Sequence, residues 1–153
     1  MVRAMLIAVL ITIGLQGNAQ TESRITRYNY FFLEAIRQQE MGNLAAAFDL
    51  LNHARDINPK APEVYYEIAG YYVAMQNSKA ARYNFEQAAK LAPDNSTYLE
   101  KLGQFYISQN NYEDALTTYE QLYTSNKTRE DVLQILYQLY GAQNNYKKMI
   151  EMI

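Results

Sequence analysis

Apolar and polar positions recur with the period of an α-helix over most of this chain. From Pro62, a residue suited to a helix's first turn, Tyr65, Ile68, Ala69 and Tyr72 fall at i, i+3, i+4 and i+7, the spacing of one helical face. From Ser78, the residues Ala81, Phe85, Ala88 and Leu91 make the stripe of a second helix, which stops before Pro93. The same two stripes return along the chain. The string QNNY occurs twice, from Gln109 and from Gln143. Laid against itself so that Gln109 falls on Gln143, the sequence also places Pro59 on Pro93, Ala47 on Ala81 and Ala115, Ala54 on Ala88, and Tyr72 on Tyr106 and Tyr140. Asn43, Asn77, Asn111 and Asn145 form an unbroken column between the paired helices. Asn tolerates the left-handed conformation that ends many helices, so the column is expected to terminate each first helix, with Gly42 serving the same turn in the first copy.

The period divides the chain into units 28–61, 62–95, 96–129 and an incomplete 130–153. Each unit is a pair of helices too small to bury both its faces. Stacked copies can, with one copy's rings filling the space left by its neighbour's Ala and Gly. Tyr112 and Tyr146 are expected to begin second helices. Thr128 followed by Asp131 reads as a capping arrangement for the fourth unit, and Asp94 or Asn95 as a cap for the third.

These units resemble tetratricopeptide repeats, whose 34-residue pattern runs large aromatic, Leu-Gly, Tyr, then Ala, Phe and Pro. The second copy matches with Tyr65, Ile68, Ala69, Tyr72, Ala81, Phe85 and Pro93, and the third with Leu99, Leu102, Gly103, Tyr106, Ala115 and Tyr119. The first is looser, with Phe31, Ala35, Ala47, Leu51, Ala54 and Pro59 but polar Glu34 and Gln38 at two usually apolar places, as suits an end repeat. In the fourth, Leu133, Leu136 and Tyr140 fit, whereas Tyr137 replaces the small residue that lets helices approach. Repeats of other periods, such as pentatricopeptide units, are the main competitors, but those units are one residue longer and read RNA, whereas this chain is acidic. The resemblance implies an all-α fold, a right-handed superhelical solenoid of antiparallel helix pairs with about 3.7 units. The chain also looks similar to exported repeat proteins of Bacteroidota.

The N-terminal segment is of a different kind. Arg3 precedes an apolar run from Ala4 to Leu15, and Gly17 and Ala19 are the small residues a signal peptidase needs, so residues 1–19 read as a signal peptide and 20–27 as a short lead into the array. A retained anchor is the alternative, but the run is shorter than the roughly 20 apolar residues that span a bilayer. A periplasmic location with no stable membrane insertion after cleavage is therefore expected. Cleavage leaves thirteen basic and sixteen acidic side chains, a net charge of −3 against −2 for the whole chain. With a pI near 5.4 there is no bulk electrostatic reason to bind nucleic acid. The absence of Cys excludes disulfides, thiolate metal sites and a cysteine nucleophile.

Chemistry-bearing constellations are not found. His53 is the sole histidine and reads as a partly exposed helix residue, no Gly-rich loop cradles a phosphate, and Glu113, Asp114, Glu130 and Asp131 lie near helix starts, where negative charge complements the macrodipole. No enzyme activity, cofactor or metal is expected. Asn95-Ser96-Thr97 and Asn126-Lys127-Thr128 match the glycosylation acceptor pattern.

The resemblance implies that the first helices line a concave face holding a peptide or protein partner. By helical spacing that face carries Phe32, Ile36, Gln39 and Glu40 in the first repeat, and Tyr66 and Val73 with Glu63 in the second. Glu100, Gln104 and Ile107 follow in the third, and Gln134 and Gln138 in the fourth. Members that clamp a peptide's terminal carboxylate use Lys, Arg and Asn there, whereas this stripe has no cation. Glu40, Glu63, Glu100 and Asp131 point instead to neutral or basic partners. Two roles are open: a non-enzymatic scaffold in the cell envelope, or the docking arm of a longer chain with an enzyme or sensor domain beyond residue 153. Met149, Ile150, Met152 and Ile153 make the last helix apolar, and a homo-oligomer or further repeats would cover it.

Overall fold

Each helix pair closes through the same three-residue turn, and that turn sets the period. The computed structural model describes the backbone of residues 2–151 and the side chains of residues 20–151. The side chains of the expected signal segment, and Met152 and Ile153 of the expected apolar terminus, lie outside the described residues. The described residues form the helices α1 (Val2–Glu40), α2 (Leu44–Ile57), α3 (Pro62–Ala74), α4 (Ser78–Leu91), α5 (Ser96–Ser108), α6 (Tyr112–Ser125), α7 (Glu130–Ala142) and α8 (Tyr146–Glu151), without a strand among them. Corresponding helices from α2 and α3 onward start one full period apart, at Leu44, Ser78, Tyr112 and Tyr146 and at Pro62, Ser96 and Glu130. Residues 20–27, expected as a short lead, lie within α1.

The turn is a Schellman motif merged with an N-cap. Asn111 N–H donates to the Tyr106 carbonyl (2.9 Å) and Asn110 N–H to the Ile107 carbonyl (3.0 Å), satisfying carbonyls that the end of α5 leaves open. Matching bonds join Asn43 to Gln38, Asn77 to Tyr72 and Asn145 to Tyr140, each 2.9 Å. The left-handed residue is not the Asn of the column but the one before it: Gly42, Gln76, Asn110 and Asn144, with φ of 81°, 56°, 58° and 56°. The Asn column has negative φ and caps the next helix. Asn77 Oδ1 accepts from Ala80 N–H (3.1 Å), Asn111 Oδ1 from Asp114 N–H (3.4 Å) and Asn145 Oδ1 from Lys148 N–H (3.3 Å). Asn43 makes no such cap bond, and its Nδ2 donates to Gln38 Oε1 (2.8 Å) instead. In both QNNY copies the tyrosine that opens the second helix donates back to the left-handed Asn: Tyr112 to Asn110 Oδ1 at 3.0 Å, Tyr146 to Asn144 Oδ1 at 3.1 Å.

Between repeats, Asn95 caps α5 by accepting from Tyr98 N–H (3.2 Å). Thr128 does not cap α7. Its N–H and hydroxyl both donate to Asn126 Oδ1, and the cap position belongs to Arg129, which makes no side-chain cap bond. Both glycosylation-pattern asparagines are thus occupied in local turns.

The chain divides into two compact units, Met1–Ile68 and Ala69–Ile153, with the boundary inside α3. In the first, α1 packs on α2 around Tyr28, Ala35, Ala47, Leu51, Ala54, Val64 and Ile68. In the second, α5 packs on α6 and α4, and α6 on α7, around Ala81, Phe85, Ala88, Leu102, Ala115, Tyr119, Leu122 and Leu136. The small-residue columns are what bring paired helices together: Ala35, Ala47, Ala54, Ala69, Ala81, Ala88 and Ala115 have no exposed surface at all. At Gly103 the approach is tighter still, since a Cβ there would lie 2.7 Å from the Tyr119 ring. The sequence pattern anticipated rings meeting small residues of a neighbouring repeat. At Gly103 they meet within one repeat.

Inter-repeat register in the second unit is held by a repeated hydrogen bond. Tyr106 Oη donates to Glu86 Oε1 (2.8 Å), and one repeat later Tyr140 Oη donates to Glu120 Oε1. Burial, and then the bonded carboxylate, push both phenols well above their usual range. Arg82 lies 5.7 Å over the Tyr106 ring.

Because the Tyr119 ring is buried and cannot swing aside, Gly103→Ala is expected to destabilise the fold by about 1–3 kcal/mol despite its better helix propensity, read as a lowered urea midpoint. Asn77→Ala is expected to cost about 1 kcal/mol through its lost cap, and Asn43→Ala measurably less. Equal losses from the two Asn variants in the same denaturation series would contradict this difference.

Candidate partner-binding surface

The expected surface residues are divided between the two units, and the structure treats each group differently. In the first unit, Phe32 and Ile36 sit one helical turn apart on α1, each half-buried, and Gln39 and Glu40 end the helix exposed. Tyr28 stacks on Phe32 (centroids 5.8 Å apart, planes at 16°) and donates its hydroxyl to Glu63 Oε1 on α3 at 2.6 Å. Glu63 is therefore an internal acceptor tying α1 to α3. Tyr66, next along α3, is half-buried. Burial foremost, and the neighbouring Glu67 carboxylate, raise its phenol. Glu67 is itself raised by burial, partly opposed by a hydrogen bond from Gln39. The result is a partly exposed aromatic and aliphatic surface of Phe32, Ile36 and Tyr66 flanked by hydrogen-bonded pairs.

The second unit carries a polar surface. Val73 on α3 is exposed, Glu100, Gln104 and Ile107 share one face of α5, and Gln134 and Gln138 are exposed on α7. Arg129 joins the two helices. Its Nη1 and Nη2 both donate to Glu100 Oε2 at 3.1 Å, while Nε donates to Asp131 Oδ1 at 3.0 Å and Nη2 to Asp131 Oδ2. Arg129 holds the Asp131 carboxyl down to about 2 from a usual 3.8, and the two carboxylates raise Arg129 in turn. Beside this cluster the Tyr119 hydroxyl is buried without a hydrogen-bond partner among the described residues. Burial raises it, with Glu100 adding to the effect and Arg129 opposing it.

This geometry corrects the electrostatic expectation. The face is not without a cation, and three of the four acids expected to select a partner have internal uses: Glu63 accepts from Tyr28, and Glu100 and Asp131 share Arg129. Spacing along the first helices missed Arg129 because it lies at the cap position, one repeat after Asn95. The available signal was the replacement of a capping Asn by a long cation in that column. Glu34, unusual for its place, bonds Arg37 and Gln38. His53 is exposed and packs edge-on against Phe31, with ring centroids 4.2 Å apart. Among the described residues no group of three His, Cys, Asp or Glu is placed to hold a metal ion, and no helix is long and apolar enough to cross a membrane.

Helix pairs of this construction define a class, and the comparisons with known proteins support it. The sequence model described as Tetratricopeptide repeat matches residues 72–139. A crystal structure of MamA superposes with a TM-score of 0.68 at 16% identity, covering 82% of this chain and 73% of that one. A second MamA structure gives 0.69 at 14%, covering 82% and 68%. The first TPR of Spaghetti (RPAP3), bound to the HSP90 peptide SRMEEVD, gives 0.63 at 15% identity, covering 78% and 97%. The fold is thus an all-α array of tetratricopeptide-type helix pairs. No curated protein matches the sequence.

The pH consequence concerns α7. Asp131 has a folded-state pKa depressed below its unfolded value, so its contribution is present above about pH 4 and is lost as pH falls from 3.8 toward 2. In Arg129→Gln the Asp131 titration, followed by carboxyl NMR, is expected to move back toward 3.8 and the α7 amides to broaden at higher pH than in the wild type. An unchanged Asp131 midpoint would contradict the ion-pair assignment.

Proposed function

We propose that this protein is a non-enzymatic interaction scaffold of the cell envelope, exported behind a leader at residues 1–19 into the periplasm, that holds a peptide or protein partner on the first-helix face of its repeats. The observation that carries the reading is the half-exposed apolar surface of Phe32, Ile36 and Tyr66, held in place by the Tyr28–Glu63 bond rather than sealed in the core. Tyr and Phe supply contact area at low entropic cost, which is why they anchor interfaces. The fold shared with a repeat domain whose structure contains an HSP90 peptide adds support. With Glu63 engaged by Tyr28, the partner segment that the Phe32, Ile36 and Tyr66 surface suits is uncharged and apolar. A free terminal carboxylate fits poorly, because the Arg129 donors already serve two acids.

Replacing Phe32 and Tyr66 together by Ala is expected to lower recovery of the cross-linked partner from envelope extract about tenfold or more with helix content retained. Full recovery by the folded double variant would count against the surface. Recovery of the chain from cytosol with residues 1–19 still attached would count against export.

A further inference from the structure

Outside the partner surface, a cleft opens between the middle turns of α1 and the loop joining α2 to α3. It encloses about 330 Å³ and is lined by Thr21, Arg24, Ile25, Asn58, Pro59 and Lys60. A shallower hollow on the same turns of α1 adjoins it, lined by Thr21, Ser23, Arg24 and Arg27 among others. Arg24 and Lys60 thus line the cleft and Arg24 and Arg27 the adjoining hollow, in a chain whose net charge is −2. None of the three is ion-paired among the described residues, as is also true of Lys79, Arg82, Lys90, Lys101 and Lys127, whereas Arg37, Arg55, Arg129, Lys147 and Lys148 are paired. The nearby carboxylates are Glu22 on α1, Asp56, which pairs with Arg55, and Glu63, which accepts from Tyr28. Arg24 is pre-positioned: its Nε donates to the Ile57 carbonyl at the C-terminal end of α2 (2.6 Å). That bond uses one of the guanidinium's five N–H donors. Hydroxyls of Thr21 and Ser23 and the amide of Asn58 supply neutral polar groups around the cations.

We propose that this cleft binds the phosphate of an anionic phospholipid headgroup and so holds the start of the array against a membrane surface. A planar guanidinium beside two further cations is suited to a phosphate group, and free phosphate shares that chemistry. Two observations select the lipid. Ile25 borders the cleft and is 51% exposed, an apolar neighbour that a dissolved anion has no use for. The apolar run Ala4–Leu15 lies upstream on the same helix, with Arg24 about 14 Å beyond Leu15 at 1.5 Å per residue. Until residues 1–19 are removed, the cleft is thus placed to meet headgroups whenever that run meets a bilayer, and afterwards Ile25 is the apolar neighbour that remains. The inference does not rest on the partner surface, since neither Phe32 nor Tyr66 lines the cleft.

Flotation of the full chain with vesicles of phosphatidylcholine, with and without phosphatidylglycerol, tests it. Binding is expected to favour the anionic vesicles, with about a fivefold contribution from each cation. Arg27→Gln with Lys60→Gln leaves the Arg24 bond to Ile57 intact and is expected to lose about 25-fold on anionic vesicles alone. Lys79→Gln with Lys90→Gln, a neutralisation elsewhere, is expected to keep the wild-type preference. Equal binding to both vesicle types, wild-type affinity in the Arg27/Lys60 variant, or an equal loss in the Lys79/Lys90 variant would overturn the proposal. So would saturation of the Arg24 and Arg27 side-chain NMR signals by inorganic phosphate at concentrations that leave vesicle binding intact.

Discussion

The closeness of paired helices is the constraint on which the rest of this structure depends. A two-helix unit has too little interior to stabilise itself, so its helices must approach until rings and backbones touch and every small residue between them is sealed. The alanine columns achieve this with no exposed surface, and at Gly103 the backbone of α5 meets the Tyr119 ring with no room for a methyl group. Once helices lie that close, the direction in which each presents its remaining residues is decided. Phe32, Ile36 and Tyr66 emerge half-exposed because the adjoining positions on the same helices are already committed to the core.

The turn between paired helices makes that approach repeatable. In three of the four turns a single Asn closes the Schellman motif of one helix with its N–H and caps the next with its side chain, so three residues both end one helix and begin the next. The preceding residue absorbs the left-handed conformation, whether it is glycine at position 42 or Gln and Asn in later copies. Short turns of fixed length then hold the period constant, and equivalent side chains meet equivalent neighbours. The Tyr106–Glu86 and Tyr140–Glu120 bonds are one contact written twice.

Charge is handled locally, and this changes what the surface recognises. Counted along the sequence, Glu63, Glu100 and Asp131 are an acidic invitation to a basic partner. In the folded chain the first accepts from Tyr28 and the other two neutralise Arg129, so these groups hold α1 to α3 and α5 to α7. Exposed ion pairs of this kind contribute little stability individually. Their effect is to fix helix orientation and to remove free charge from the surface. Positive charge without an ion pair among the described residues includes Arg24 and Lys60, which line one cleft, and Arg27 in the hollow beside it.

By itself the sequence determined the helices, their pairing and their period, because these follow from local rules: apolar spacing of 3.6, proline at helix starts and stops, and the Asn column at each reversal. It even marked the four turns, although it put the left-handed residue one position late, since Asn serves both as a terminator and as a cap and only backbone dihedrals separate the roles. Tertiary structure alone decided the meetings between residues far apart in the chain. That Tyr119 lies on Gly103 within one repeat, that Glu63 belongs to Tyr28, and that Arg129 reaches back 29 positions to Glu100 were not legible from spacing. Spacing describes one helix at a time. A hydrogen bond between two helices depends on their separation and rotation, which are set only when the small residues between them have closed the gap.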